Sequence, residues 1–366
     1  MAELLLELYS EEIPPQSQIG ARSQLKQFIE NSLREDNINY KNLSVYSTPT
    51  RLTLHINDLA EKIKINSKEI KGPKVGSPDQ ILKGFTKAKN VADKDLFEKE
   101  TEKGKFYFIK TEPKTILVED LLIKILPKAL NSISWKKSMK WSDYSLMWGR
   151  PLRSIFAKFN NKKLIFKFDH LETTDLIFIE QDLNSKTKKI DSFKEYLAFL
   201  KSYKIIVDHK EREQIILKKI NSISKSKDYK KNLNPQLLEE VINIVEDPNI
   251  LLVSFNKDYL KIPQEIIIST LEKHQRYFPV FDRRDRLKNY FFVVANKKDE
   301  KGLITEGNKR VVEARLADAQ FFWDKDRSKN LIKQIATLKS VTFYEKLGTI
   351  YDKTQRLRQL AGLLSD

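Results

Sequence analysis

The chain has 366 residues, 67 Lys+Arg against 50 Asp+Glu for a formal net charge of +17, and 40% hydrophobic residues. That length passes the roughly 250–300 residues at which a single core stops growing, so two or three domains are expected, and the apolar fraction excludes a disordered chain. The basic excess favours a polyanionic partner, most simply nucleic acid, although lysine is scattered along the whole chain; the absence of cysteine excludes disulfides, cysteine-ligated zinc and thiol catalysis.

Met1 to Ser10 alternates glutamate with leucine where a signal peptide would have a basic and then an apolar region. No run in the chain reaches the roughly 18 apolar residues that a bilayer span needs, so a cytoplasmic protein without membrane contact is predicted. Leu4, Leu6 and Leu8 predict a first strand, which Pro14-Pro15 ends because proline cannot donate to a ladder. Ile19, Leu25, Phe28, Ile29 and Leu33 form a helical stripe over about 16–34, and Val45 to Leu59 returns as a strand, giving a β-α-β opening. Glu11 and Glu12 offer paired carboxylates for acid–base or metal chemistry, and equally suit the ordinary charge of a helix start. Lys71 to Pro78 concentrates turn formers; its two prolines and the missing terminal lysine exclude a nucleotide P-loop. A strand over 106–110 and a helix over 118–130 follow.

Three of the four tryptophans lie within Ser134 to Gly149, interleaved with Lys136, Lys137 and Lys140 and followed by Arg150 and Arg153. Such a mixture suits stacking on unpaired bases with phosphate neutralisation, and it equally suits tryptophans packed in a core with lysine ends in water. Leu152 to Phe159 and Leu164 to Phe168 predict a hairpin across Asn160-Asn161. A lysine-rich helical pair spans 192–224, 237–245 is a helix or strand, and Pro263 opens a helix running to His274. The strands Tyr277 to Asp282 and Asn289 to Ala295 then enclose a turn bearing Arg283, Arg284 and Arg286, the best phosphate clamps on sequence grounds and equally readable as an ordinary solvated charged turn.

From Gly307, Val312, Leu316, Ala319 and Trp323 predict an amphipathic helix to Arg327 with one apolar stripe. Arg315, Asp318 and Phe322 share one flank of it, expected as an internal brace drawn in beside the stripe rather than as a contact surface. Helices over 331–338 and 341–364 complete the pattern. No His-Glu-x-x-His, serine elbow or Gly-x-Gly-x-x-Gly occurs, and His55, His170 and His209 stand alone, so no self-contained active site or metal site is predicted.

The stretch Gly-Asn-x-x-Val-Val-x-x-Arg-Leu-Ala-Asp-Ala-x-Phe-Phe from Gly307 resembles a signature of the bacterial glycine-tRNA synthetase beta subunit family. Lys273 to Val280, which contains His274, Gln275 and Arg276, and Phe291 to Asn296 are similar to family segments in the same order. Ser10 to Pro15, Thr48 to Leu52, Lys137 to Trp141 with Arg150-Pro151, and Leu347 to Leu360 agree as well. The resemblance implies an α+β chain: an N-terminal β-α-β unit over 1–70, then a mixed α/β region over 71–328 like the B3/B4 domain of phenylalanine-tRNA synthetase. The beginning of an all-α HD-like domain over 329–366 would follow, with a linker and an anticodon-binding domain lying beyond the resemblance. It further implies a tRNA(Gly)-binding beta subunit in an α2β2 assembly, no cofactor on this chain, and ATP and magnesium on the alpha subunit. The alternative is a stand-alone tRNA- or RNA-binding module. Glu180-Gln181-Asp182-Leu183 departs from the Gly-His-Arg-Phe usual in the family, which puts a contact by that loop in doubt.

Overall fold

The computed structural model describes residues 2–365 apart from 66, 68, 90–91, 93–94, 111–112, 182–183 and 231–232. The chain divides into two compact units, Met1–Glu211 and Arg212–Asp366. Its sheets are small, their strands pair antiparallel, and helices cover them, which gives a mixed α/β fold.

The first unit is built on a five-stranded sheet with the first strand, β1 (Ala2–Ser10), at its centre. β1 is followed by helix α1 (Pro15–Glu35), then β2 (Asn42–Thr48) and β3 (Arg51–Leu59). β3 lies between β1 and β2 and is antiparallel to both, so β1 and β2 run parallel without touching: a β-α-β unit split by an inserted strand. The single strand expected over Val45 to Leu59 is thus a hairpin, turning at Pro49-Thr50, where proline supplies no amide to a ladder. The strand Leu152–Phe159 pairs with the other side of β1.

The period-2 pattern of β1 decides which layer each residue joins. Leu4, Leu6 and Leu8 pack under Leu25, Ile29 and Leu33 of α1 and Leu122, Leu126 and Leu130 of the helix Val118–Ser132. Leu5 faces the opposite layer with Phe156, Ile177, Ile179, Tyr196 and Leu200, where the helix Phe193–Ser202 covers the sheet. Asn160 and Asn161, with φ 49° and 61°, turn the Leu152–Phe159 strand back. The returning partner is only Lys162–Lys163, shorter than the expected strand over 164–168. Leu164, Phe166 and Phe168 drop into the core instead. Lys71 to Pro78 is a turn only in its second half, its first half lying in the strand Glu69–Lys74.

The second unit centres on a three-stranded antiparallel sheet, Asn249–Ser254, Leu287–Ala295 and Phe278–Phe281. On one face Val253, Phe291 and Val293 pack with Val312 and Leu316 of the long helix Leu303–Arg327. On the other, Ile250, Phe278 and Phe292 meet Ile216, Ile220, Leu237 and Val241. The long helix starts one turn before the expected Gly307: Gly302, at φ 70°, precedes it, and the Asp299 carboxylate accepts from the Ile304 and Thr305 amides at 3.0 and 2.8 Å. The helix expected over 341–364 begins only at Ile350, because left-handed Lys346 and Gly348 fold 342–349 into a small hairpin.

Candidate functional site

Three of the family-like segments meet at one end of the first sheet. The Ser10 amide donates to the Thr50 carbonyl at 2.9 Å, the Glu11 amide to the Pro151 carbonyl at 3.0 Å, and Arg150 Nε to the Glu12 carbonyl at 3.0 Å. Arg51, which opens β3, turns inward with only 2% of its side chain exposed, and its Nε lies 3.2 Å from Oε2 of Glu7, itself 1% exposed. The Tyr196 hydroxyl donates to the same Glu7 oxygen at 2.5 Å, the Thr53 hydroxyl lies 2.9 Å from the Tyr196 hydroxyl, and the Arg51 guanidinium stands 4.8 Å over the Tyr9 ring. Burial pushes the Tyr9 hydroxyl up to about 12, against the pull of Arg51. Burial and the neighbouring Glu7 charge raise Tyr196 well above the ordinary phenol range, so it stays a proton donor to Glu7. Nothing in residue type marked Arg51 or Glu7 as internal.

The tryptophan-rich segment resolves largely in favour of packing. Trp148 is buried, Trp135 lies 5.0 Å from it between ring centroids, and Trp141 donates to the Trp148 carbonyl at 2.9 Å. Gly149 is required here, since a Cβ on it would stand 2.5 Å from the Trp135 ring. Lys136, Lys137 and Lys140 remain at the surface, in no ion pair among the described residues. Arg153 is shared between carboxylates, ion-paired with Glu180 and 3.5 Å from Glu11. In the divergent segment at 180–183, Asp182 and Leu183 lie outside the described residues.

The remaining predicted residues lie in the second unit. At the hairpin tip Arg283 Nε is 2.6 Å from Asp228, Arg286 is 2.8 Å from Asp282, and Lys230 grips Asp285. Hydrogen bonds from the Arg286 amide, and then from its side chain and the Arg284 amide, hold the Asp282 carboxyl below the usual carboxylate range. Arg284 alone of the three arginines has a side chain in no ion pair among the described residues.

His274 ends a π-turn, Thr270–His274, that continues the helix Gln264–Ser269, and Gln275 and Arg276 follow it. His274 is exposed. Arg276 adopts a left-handed φ of 61°, an uncommon conformation for a side chain with a Cβ, and its Nε is held 2.6 Å from Glu240. Tyr277 stacks on Phe291 with centroids 5.0 Å apart, and its hydroxyl donates to the Asn308 side chain. The segments Lys273 to Val280, Phe291 to Asn296 and the start of the Gly307 helix are therefore one packed assembly.

Of the expected stripe, Val312 and Leu316 face the core at 0% exposure and Ala319 packs beside them partly buried, whereas Trp323 is only half-buried and outside that cluster. Arg315, Asp318 and Phe322 do not form the expected internal brace. All three are exposed, Phe322 by 59%, and no ion pair joins Arg315 to Asp318 among the described residues. Phe322 sits about 120° round the helix from Leu316 at 100° per residue, too far to be drawn under the stripe.

Among the described residues no group of three His, Asp or Glu side chains is placed to hold a metal ion, and no helix is long and apolar enough to cross a membrane. A sequence profile described as glycyl-tRNA synthetase beta subunit matches residues 4–366. The curated glycine–tRNA ligase beta subunit of Rickettsia prowazekii is 35% identical over 367 residues, and that of Rickettsia typhi 34% over 366. That of Rickettsia canadensis is 34% identical over 369 residues. Each alignment takes in 100% of this chain and 55% of the relative, so the chain spans about half the length of the curated relatives it matches. The segments that converge at the end of β1 and around Tyr277 are thus pieces of one continuous match, and the chain belongs to the glycyl-tRNA synthetase beta subunit family.

Proposed function

We propose that this chain acts as the beta component of a heterotetrameric α2β2 glycine–tRNA ligase in the cytoplasm. It binds tRNA(Gly) and supports ATP-dependent glycyl-tRNA formation, with ATP and magnesium used on the alpha subunit. The observation that carries the tRNA part is that, of the predicted RNA-contact residues, Lys136, Lys137 and Lys140 in the first unit and Arg284 in the second have side chains in no ion pair among the described residues, on a chain of net charge +17. Such groups release counterions when they meet phosphate, whereas Arg283 and Arg286 must first give up their aspartates. The finer architecture belongs to the same reading: a β-α-β unit over 1–70, a B3/B4-like region over 71–328 and the start of an HD-like domain from 329.

The test mixes the chain with an alpha subunit of the family, tRNA(Gly), glycine, ATP and magnesium and measures glycyl-tRNA. Formation above that of the alpha subunit alone is expected. RNA binding by the chain with no gain in glycyl-tRNA would replace this reading with a stand-alone RNA-binding module.

A further inference from the structure

Two cavities in the first unit share Tyr46 and Asp208 and differ in chemistry. The larger, about 380 Å³, is lined by Arg22 and Lys26 of α1, by β2 around Ser44, and by Lys210. Lys26 and Lys210 are both free to serve an anion: Lys26 makes only a loose 3.8 Å contact with Glu30, and Lys210 is exposed and in no ion pair among the described residues. The smaller, about 220 Å³, is walled by Phe193, Leu197 and the 205–207 segment, and its lining includes the carboxylates of Asp208 and Glu211. Tyr46 lies nearly parallel to Phe193, 5.6 Å away and 19° apart, and Phe193 stacks on His55 at 3.8 Å. Tyr46 is thus one of the rings grouped around Phe193, and it lines both cavities.

The geometry points to a nucleotide site: a nucleoside phosphate with its phosphate among Arg22, Lys26 and Lys210 and its base in the smaller cavity beside Tyr46 and Leu197, an exocyclic amine donating to Asp208 or Glu211. Each part of the ligand answers one part of the groove. Lysine meets phosphate as a point charge and arginine as a planar fork, apolar and aromatic walls suit a planar ring, and carboxylates accept from base amines. The combined space falls in the range of pockets that hold small ligands. The inference is independent of the ligase reading, which uses none of these side chains. The same chemistry is met by a free nucleotide and by an unpaired nucleotide of an RNA.

The experiment titrates the full chain with adenosine 5′-monophosphate (AMP), adenosine, uridine 5′-monophosphate (UMP), inorganic phosphate and a short single-stranded RNA, by calorimetry and ligand-observed NMR. Saturable AMP binding is expected, with UMP about tenfold weaker for want of an exocyclic amine. Lys26→Glu with Lys210→Glu should weaken AMP at least about tenfold while leaving adenosine unchanged, since only charge-assisted contacts to phosphate are lost. Ala198→Trp, at an exposed position of the smaller cavity, should weaken AMP and adenosine alike. Tighter binding of the RNA, lost in the same variants, identifies RNA as the source; AMP equal to or tighter than RNA identifies a free nucleotide. AMP binding no tighter than inorganic phosphate, or unaltered by these variants at unchanged melting temperature, overturns the site. If charge reversal lowers the melting temperature, Lys26→Gln with Lys210→Gln gives the same readout.

Discussion

Replacing Arg51 by methionine tests the packing of the first unit most directly. The substitution keeps the length of the buried stem and deletes the guanidinium, which lies 3.2 Å from Glu7 and also donates to the Phe178 carbonyl. Glu7 is then a carboxylate at 1% exposure that accepts from the neutral Tyr196 hydroxyl. Removing one member of a buried pair costs about 3–5 kcal/mol, because the other charge loses its partner without regaining water. For a unit of this size each kcal/mol moves the midpoint by about 2–4 °C, so a fall of roughly 6–20 °C is expected. Tryptophan fluorescence reads the transition, since Trp135, Trp141 and Trp148 all lie in the first unit. Adding Glu7→Gln to Arg51→Met removes the buried charge that faced the guanidinium and should recover about half of the loss. A single mutant within about 1 kcal/mol of the parent, or a double mutant no more stable than the single, would refute the reasoning.

Glu3 gives a pH dependence. Burial pushes its carboxyl up, but the hydrogen bonds from His55 and the Phe193 amide outweigh burial and hold it below the usual range, so its stabilisation is present above about pH 4.3 and fades as pH falls through the folded value. Glu3→Gln should therefore flatten the acid limb of a stability-against-pH curve. Gly149→Ala forces a Cβ to 2.5 Å from the Trp135 ring and should destabilise the first unit by about 1–3 kcal/mol, with a shift in tryptophan emission. Arg284→Ala should lower the slope of log affinity against log salt for tRNA by about 0.9, and Arg283→Ala or Arg286→Ala by less, because Asp228 and Asp282 already neutralise those two. Arg315→Ala, at an exposed position with no ion pair to Asp318, should move the melting midpoint by no more than about 0.5 kcal/mol allows.

Periodicity made the helices legible. The Leu25, Ile29, Leu33 and Val312, Leu316 stripes are written at intervals of four, and each ends against a sheet. Turns were harder to read where the decisive feature was a backbone angle rather than a residue type. Pro49 announces the end of β2 only once a hairpin is considered, and the left-handed φ of 66° at Lys346 has no signal in lysine at all. Asn160-Asn161 was readable because asparagine tolerates that region.

The candidate residues divide along a related line. Chemistry-bearing side chains were legible as charges and rings, but whether each is spent on the protein or free for a partner depends on contacts far away in sequence. Asp228 neutralises Arg283 from 55 residues earlier, and Tyr196 reaches Glu7 across 189 residues. The same distance effect hides the groove beside Tyr46, whose walls come from α1, β2 and the segment around Asp208. The Arg315 flank is the exception. Its outward direction followed from 100° per residue and the two buried anchors Val312 and Leu316, so the brace reading failed on information already present in the sequence. A face that carries Arg315, Asp318 and a 59% exposed Phe322 contributes nothing to the core of this unit. Its family-like pattern has to be explained by something other than the packing of residues 212–366.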